Sequence, residues 1–297
     1  MNPTRITHPR SPIPTVNFHC WRPCNMRCRH CFARFNDAGH DNLSRSEMLA
    51  VVQELARGFE RINFVGGEPT LCPWFVDALD VARASGARTS LVTNGWAMAK
   101  RTDFRDAVLA RVDGMGLSID SRRSDANVTI GRVVGRRTLH VDELLELAEV
   151  VRGRGLHLKV NTVVQQANLH EDFGDLLNRV RPDRWKVFRV LPVHGQNDAD
   201  YHSVAITDEQ FSSFLARHTY LAEAGVAPVP ENHDAMTGSY AMVDPGGFAY
   251  DNVDGTYRDS REPVHRCGWR AAFAEVRVLP ERFASRGGHY LLERGDQ

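Results

Sequence analysis

The sequence lacks any long apolar run. No stretch of its 297 residues approaches the roughly 18 apolar residues of a membrane span, and the opening MNPTRITHPRSPIP has no apolar heart of a signal peptide. An excess of either charge is lacking too. Lysine plus arginine, 37 in all, balance 37 aspartates and glutamates, so no global field draws in nucleic acid or a membrane surface. An anionic partner must be held by local charges. Cysteine is scarce, with six in the chain. Repeats, low-complexity tracts and linker-like stretches are missing, so nothing divides a chain long enough for one large α/β domain with a sizeable core. These absences predict a cytoplasmic protein that engages neither membrane nor nucleic acid. In a reducing compartment, clustered cysteines point to metal or catalysis before disulfides.

Such a cluster is present. The stretch PTVNFHCWRPCNMRCRHCF places Cys24, Cys28 and Cys31 behind an apolar-alternating run. Alternating or apolar runs predict strands at 15–20, 61–65, 88–93, 114–120, 156–164 and 184–191. Helical patterns fall between them. SRSE at 44–47 is a capping-box signature opening a helix that stops near Gly58; WFVDALDVARASG, KRTDFRDAVLARV, VDELLELAEVVRGRG and HEDFGDLLNRV read as four more. Six strand–helix units predict a parallel sheet curled into a partial (β/α)6 barrel of the TIM type. The barrel is expected over 10–220 of a single domain. Beyond it VAPVPENHDAMTGSY and VDPGGFAYDNVDGTY read as loops and turns over the sheet's end, an irregular extension, 221–297, covering the active site.

The cysteines fall in the loop after the first strand, on the carboxyl-end face where barrel active sites assemble. Soft thiolates at C-x3-C-x2-C suit an iron–sulfur cluster, and three ligands for four irons leave one iron open to chemistry. A structural zinc completed by His30 or Cys20, or three unrelated buried thiols, are the alternatives. The second strand ends in INFVGGEPTL, where Gly66 and Gly67 let backbone approach a ligand closely and Glu68 follows on the same face. The pairing of this GGE segment with the cysteine triad resembles the radical S-adenosylmethionine (SAM) superfamily. That resemblance implies a [4Fe–4S] cluster on Cys24, Cys28 and Cys31, with the SAM amino group held at Gly66, Gly67 and Glu68. Further SAM contacts are expected from Thr93 and Asn94 in LVTNG and from Ser118 in LSID. It also implies an electron donor, a reductase or a flavodoxin or ferredoxin, because a reduced cluster cleaves SAM to a 5′-deoxyadenosyl radical.

Period-two parity assigns the lumen. In LHLKVNTVV, His157, Lys159, Asn161 and Val163 share one face; elsewhere Asn17 goes with His19, Ser118 with Asp120, and Arg184 with Lys186. The result is a polar, net cationic interior. Unpartnered buried cations cost several kcal/mol each, so an anionic substrate answers them, or Asp120 and Glu68 do.

The stretches VNFHCWRPCNMRCRHCF, INFVGGEP, SIDSRRSDANVTIGR, KVNTVVQQANLHEDF, RPDRWKVFRVLPVHGQN and SRGGHYL together resemble the viperin family in the same order along nearly all of residues 15–291. The family implies conversion of CTP, GTP or UTP to the 3′-deoxy-3′,4′-didehydro nucleotide, a chain terminator of viral polymerases, by 4′-hydrogen abstraction and loss of water. By motif, Lys159, Arg184 and Lys186 would bind the triphosphate, Asn17 and Asn161 the ribose or phosphate, and Arg132 of IGR the SAM carboxylate or the phosphates. Tail residues Asn232, Tyr240 and Asp251 are candidates for the base edge. Another phosphorylated sugar as substrate is the runner-up. ARFNDAGHDN carries only Arg34 where animal members have a lysine; their amphipathic N-terminal helix is lacking, which points to a membrane-free protein of microbial type, and so is their terminal tryptophan, so a dedicated cluster-loading partner is not implied; a monomer is expected. Cys20, Cys72 and Cys267 are too scattered for an auxiliary cluster.

Overall fold

The computed structural model of the chain describes residues 10–35 and 41–290. All six expected strands form: β1 (Thr15–His19), β2 (Arg61–Val65), β3 (Arg88–Thr93), β4 (Gly114–Ser118), β5 (His157–Val164) and β6 (Arg184–Arg189). Each pairs in parallel with the next. Between them run α1 (Arg45–Gly58), α2 (Phe75–Ala84), α3 (Trp96–Lys100), α4 (Thr102–Leu109), α5 (Ser124–Ile130), α6 (Val141–Gly153) and α7 (Gly174–Val180). Ser44 caps α1 as its signature predicts: its side chain accepts from the Glu47 N–H while the Glu47 carboxylate accepts from Ser44 N at 3.0 Å. Met48, Val51, Val52 and Leu55 recur at helical spacing and are buried, a face in which each large side chain contributes about 1.5–3 kcal/mol.

The parity argument holds on the outer face. Leu158, Val160 and Val164 of β5, with Trp185 and Val187 of β6, lie in the core between sheet and helices. Thr162 is the polar member of that face, and it is satisfied: its hydroxyl donates to Ile119 O at 2.7 Å and accepts from Trp185 Nε1 at 3.0 Å. The other face of the same strands turns inward.

The tail departs from expectation. Rather than loops, it supplies β7 (Pro228–Glu231), β8 (Ala241–Val243), β9 (Ala249–Asp251) and β10 (Arg258–Asp259). The sheet has ten strands in the order β10-β9-β8-β1-β2-β3-β4-β5-β6-β7. β7 adds in parallel to β6 and β8 in parallel to β1, so the barrel is widened but stays open. Sequence patterning misses these strands because three-residue segments are too short to display a period, and the prolines of PVPE argue against a strand except at an edge, where β7 lies. A tight turn joins β8 to β9: Asp244 Oδ1 accepts from Gly246 N at 2.9 Å and Phe248 N at 2.7 Å. Among the described residues, no helix is long and apolar enough to cross a membrane.

Candidate active site

A cavity of about 280 Å³ fills the curl of the sheet. It runs from Thr15 and Arg61, at the amino ends of β1 and β2, to the cysteine loop at the carboxyl ends. That loop is clamped on both sides by main-chain bonds. Gly67 N donates to Trp21 O at 2.7 Å and Glu68 N to Pro23 O at 3.0 Å; opposite, Arg27 N donates to Gly131 O at 3.1 Å and Arg29 N to Ile130 O at 2.9 Å. Glycine is required at both clamps. A Cβ on Gly67 would collide with the carbonyl oxygens of Arg22 and Pro23, and one on Gly131, which sits at φ +88°, with that of Arg27. What approaches the GG pair so closely is therefore the backbone of the cysteine loop itself.

Cys24, Cys28 and Cys31 are half-buried free thiols facing the cavity. Burial pushes Cys24 up to about 11 and Cys28 to about 12, and raises Cys31 as well; a metal that binds thiolate displaces these protons. The zinc alternative fails on its fourth ligand. His30 Nδ1 lies 2.7 Å from Gln165 Nε2 and its Nε2 3.6 Å from Asp120 Oδ2, while Cys20 is packed in the apolar core. Among the described residues, no three His, Cys, Asp or Glu side chains gather round one point as the ligands of a single ion do. A cubane takes each thiolate on a separate iron, and three soft thiolates suit it.

Glu68 is buried and ties two strand ends together. Its Oε1 accepts from Thr70 Oγ1 at 2.6 Å and Thr93 Oγ1 at 2.7 Å, and its Oε2 from Asn94 N at 2.8 Å. Burial raises its pKa against those donors. Asn94 in turn reaches the cysteine loop, donating from Nδ2 to Asn25 Oδ1 at 2.7 Å. Arg132 is buried with its charge answered: Nη1 contacts Asp120 Oδ2 at 3.0 Å and Nη2 donates to Ser118 O at 2.7 Å. Gly66, Thr93 and the Ser118 side chain line the same end of the cavity.

The cationic wall occupies the other end. Lys159 is buried, faces the cavity, and makes no hydrogen bond or ion pair among the described residues; burial, with Arg61 and Arg184 nearby, lowers its pKa. Asn161 beside it leaves a buried Oδ1 without a partner. Asn17 Oδ1 accepts from Asn63 Nδ2 at 2.8 Å, and Asn63 Oδ1 from Ser90 Oγ at 2.8 Å. Lys186 is paired: it contacts the buried carboxylate of Glu231 and donates to Tyr240 OH at 3.1 Å, and Arg286 reaches Glu231 at 3.2 Å. Burial brings Lys186 down to about 7, with Arg286 and Lys159 opposing the hold of Glu231. Asp120 and Glu68, the alternative partners for the lumen cations, pair with neither lysine; Glu231 answers Lys186, and Lys159 has no carboxylate partner among the described residues. Arg184 stands outside the cavity lining, bonded to Gly287 O at 2.8 Å and 4.7 Å from the centre of the Tyr290 ring, whose flank Arg61 also covers at 4.4 Å.

Of the other expected contacts, Arg34 turns away to Asp200 Oδ2 and Cys28 O, both at 2.8 Å, and residues 36–40 of its stretch lie outside the described residues. Asn232 caps a short helix by accepting from Ala235 N at 2.9 Å, and Asp251 holds Val253 N and Arg277 N. Of the three base candidates only Tyr240 lines the cavity. Sequence reasoning missed Arg61, Asn63, Glu231, Arg286 and Tyr290. The last two lie in SRGGHYL, a stretch that carried the family resemblance; parity along RINFV would have exposed the first two.

Known proteins agree with this geometry. A family model described as the Radical SAM superfamily matches residues 20–180. An S-adenosylmethionine-dependent nucleotide dehydratase of Flammeovirga pacifica is 40% identical over 94% of this chain and 96% of its own length. A protein of the same name from Lacinutrix mariniflava is 39% identical over 94% of this chain but only 59% of its own, longer sequence, and the dehydratase RSAD2 of Oncorhynchus mykiss is 29% identical over 95% of this chain and 81% of its own. Among solved structures, anSMEcpe with bound AdoMet and Kp18Cys peptide superposes with a TM-score of 0.66 over 87% of this chain and 80% of its own at 13% identity. Streptococcus suis SuiB bound to precursor peptide SuiA gives 0.62 over 80% and 58% at 15% identity; at such identities the likeness speaks for the fold. The chain belongs to the radical SAM superfamily and, within it, to the viperin-like S-adenosylmethionine-dependent nucleotide dehydratases.

Proposed function

We propose that this enzyme removes water from a ribonucleoside triphosphate, CTP, GTP or UTP, to give the 3′-deoxy-3′,4′-didehydro nucleotide, a chain terminator directed against viral polymerases. One observation supports the reading above others: a single cavity holds the three cysteines at the carboxyl ends of the strands and the unanswered ammonium of Lys159 toward the amino ends. A five-residue strand separates the two ends by about 13 Å, so a ribose beside the cluster loop directs its triphosphate at the cations. Lysine is otherwise avoided in this chain, which carries only Lys100, Lys159 and Lys186. Two of these three line the cavity.

Cys24, Cys28 and Cys31 ligate the cluster. When bound, the [4Fe–4S] cluster and SAM supply the radical that takes a ribose hydrogen. The chain's own residues bind and orient. We assign the SAM amino group to Glu68 Oε2, which accepts only the Asn94 N–H among the described residues, and the surrounding contacts to Gly66, Gly67, Thr93, Asn94, Ser118 and Arg132. On the substrate side, Lys159 and Arg61 meet phosphate, with Arg184 and Lys186 adding field from behind Tyr290 and from the Glu231 cluster. Asn161 Oδ1 accepts from a ribose hydroxyl, relieving its buried, unpaired state, and Asn17 offers its amide N–H groups.

The test is anaerobic reconstitution with SAM and each of the four ribonucleoside triphosphates, followed by mass spectrometry. A product lighter than its substrate by one water is expected from at least one of them. If none raises 5′-deoxyadenosine above the uncoupled background, the assignment fails.

A further inference from the structure

The charge balance of the whole chain conceals a strong local asymmetry. Residues 22–34 and 122–137 together carry nine arginines, with Asp125 as the lone carboxylate, in a chain whose formal net charge is +0. The fold brings these two segments together, because Arg27 N and Arg29 N donate to Gly131 O and Ile130 O. Five of the nine are spoken for or held inward: Arg132 is paired with Asp120, Arg34 with Asp200, Arg122 with Glu171 and Arg123 with Asp125, and Arg22 is partly buried. The other four, Arg27, Arg29, Arg136 and Arg137, are exposed, as are the paired Arg122 and Arg123. Arg29, Arg136 and Arg137 make no side-chain ion pair among the described residues, and Val128, three residues before Gly131, is 57% exposed. Two arginine-rich segments, with the exposed Val128, thus meet at the loop that carries Cys24, Cys28 and Cys31.

We infer that this surface is the docking site for an acidic one-electron carrier protein of the flavodoxin class. The inference rests on the radical SAM assignment, in which the cluster must be reduced, and extends it to a place and a partner. One electron leaves the reduced carrier, which is oxidised by one electron, and enters the cluster from the solvent side of the cysteine loop. The substrate enters the opposite, cavity side, so both are accommodated together. Complementary charge raises the encounter rate and makes it sensitive to salt.

The experiment uses the cluster-loaded full chain with SAM and no nucleotide, following 5′-deoxyadenosine with either dithionite or a reduced acidic flavodoxin as donor. With flavodoxin, the wild-type rate should fall by about fivefold or more between 0.02 and 0.2 M salt, where the screening length drops below about 10 Å, while the dithionite rate holds. The variant Arg136→Glu/Arg137→Glu should lower the flavodoxin-supported rate by a similar factor and leave the dithionite rate unchanged, and Arg29→Glu should lower the ratio of the flavodoxin-supported to the dithionite-supported rate. Anisotropy of labelled oxidised flavodoxin gives a readout independent of turnover, with weaker binding expected for both variants. Unchanged binding and rate in both variants overturn the proposal. So does tight, variant-sensitive binding of a labelled oligonucleotide with no response to flavodoxin, which would assign the surface to nucleic acid instead. Failure of the dehydratase assignment is seen separately, as absence of any dehydrated nucleotide with dithionite.

Discussion

Gly116 lies in register with Lys159 across β4 and β5, and the lysine Cε passes 2.9 Å from where a Cβ on Gly116 would stand. The missing side chain is the channel through which Lys159 crosses its neighbouring strand into the cavity. Gly116→Ala should therefore fold, since a flexible lysine end can give way, but displace the ammonium. A several-fold rise in KM for the nucleoside triphosphate is expected with the melting temperature within a few degrees of wild type. An unaltered KM would show that the position of Lys159 does not matter to the substrate.

Removing the charge outright is the sharper form of that test. Lys159→Ala loses a charge-assisted contact worth about 1.5–3 kcal/mol, or roughly 10–100-fold in triphosphate Kd, while uncoupled SAM cleavage persists because the cysteine end is untouched. Calorimetry on the variant measures the first and 5′-deoxyadenosine release the second. Loss of both together would mean that the lysine supports the fold.

Glu231→Gln removes the carboxylate that faces Lys186 and Arg286 inside the barrel. Leaving buried cations uncompensated costs about 3–5 kcal/mol, so a lowered melting temperature is expected. Added triphosphate should raise the melting temperature of the variant more than that of wild type, because the anion partly replaces the lost carboxylate. Equal stabilisation of the two proteins would separate the Glu231 cluster from the phosphate site.

The residues behind these predictions differ in how readily the sequence reveals them. Lys159 and Lys186 are legible because β5 and β6 are long enough to alternate, and one face of each is apolar. The cysteine loop and GGE are legible because their spacing has few other uses. Glu231 is hidden: it closes a four-residue edge strand containing two prolines, and its partners lie 45 and 55 positions away. Tyr290 is hidden for the same reason, since nothing local announces that a tail tyrosine will settle between Arg61 and Arg184. Arg61 reads as a solvent-facing strand start, yet it is 6% exposed, because the tail covers it. Local pattern carries the six-strand core; the tail strands and their counter-charges depend on long-range packing that no short window contains.

Gly131→Ala tests the clamp on the cysteine loop. The residue sits at φ +88°, and Arg27 O lies 2.2 Å from where a Cβ would stand, so a methyl group adds both backbone strain of about 1–2 kcal/mol and a main-chain collision. Reduced iron content after reconstitution is expected, with far-ultraviolet circular dichroism close to wild type. Full iron loading would show that the loop tolerates release from the IGR side.

Substrate binding should depend on pH through the two cavity lysines, and the sign can be worked out. Burial brings Lys186 down to about 7 and lowers Lys159 from its ordinary value, so above pH 7 the free enzyme has shed part of its lysine charge. A bound triphosphate favours the charged forms and raises both pKa values, so binding takes up protons. Affinity must then fall as pH rises, by up to a factor of ten per pH unit for each lysine that titrates. The phosphate's own last ionisation, near pH 6 in phosphate esters, acts in the opposite sense and is complete before this window. Between pH 7.5 and 8.5 the Kd for the preferred triphosphate should rise about tenfold. Calorimetry at pH 8 in two buffers of different ionisation enthalpy should report net proton uptake, and Lys186→Met should reduce it. A Kd that is flat across this interval, with no buffer dependence of the heat, would mean that both lysines stay charged in the free enzyme and that Glu231 and Tyr290 outweigh the cost of their burial.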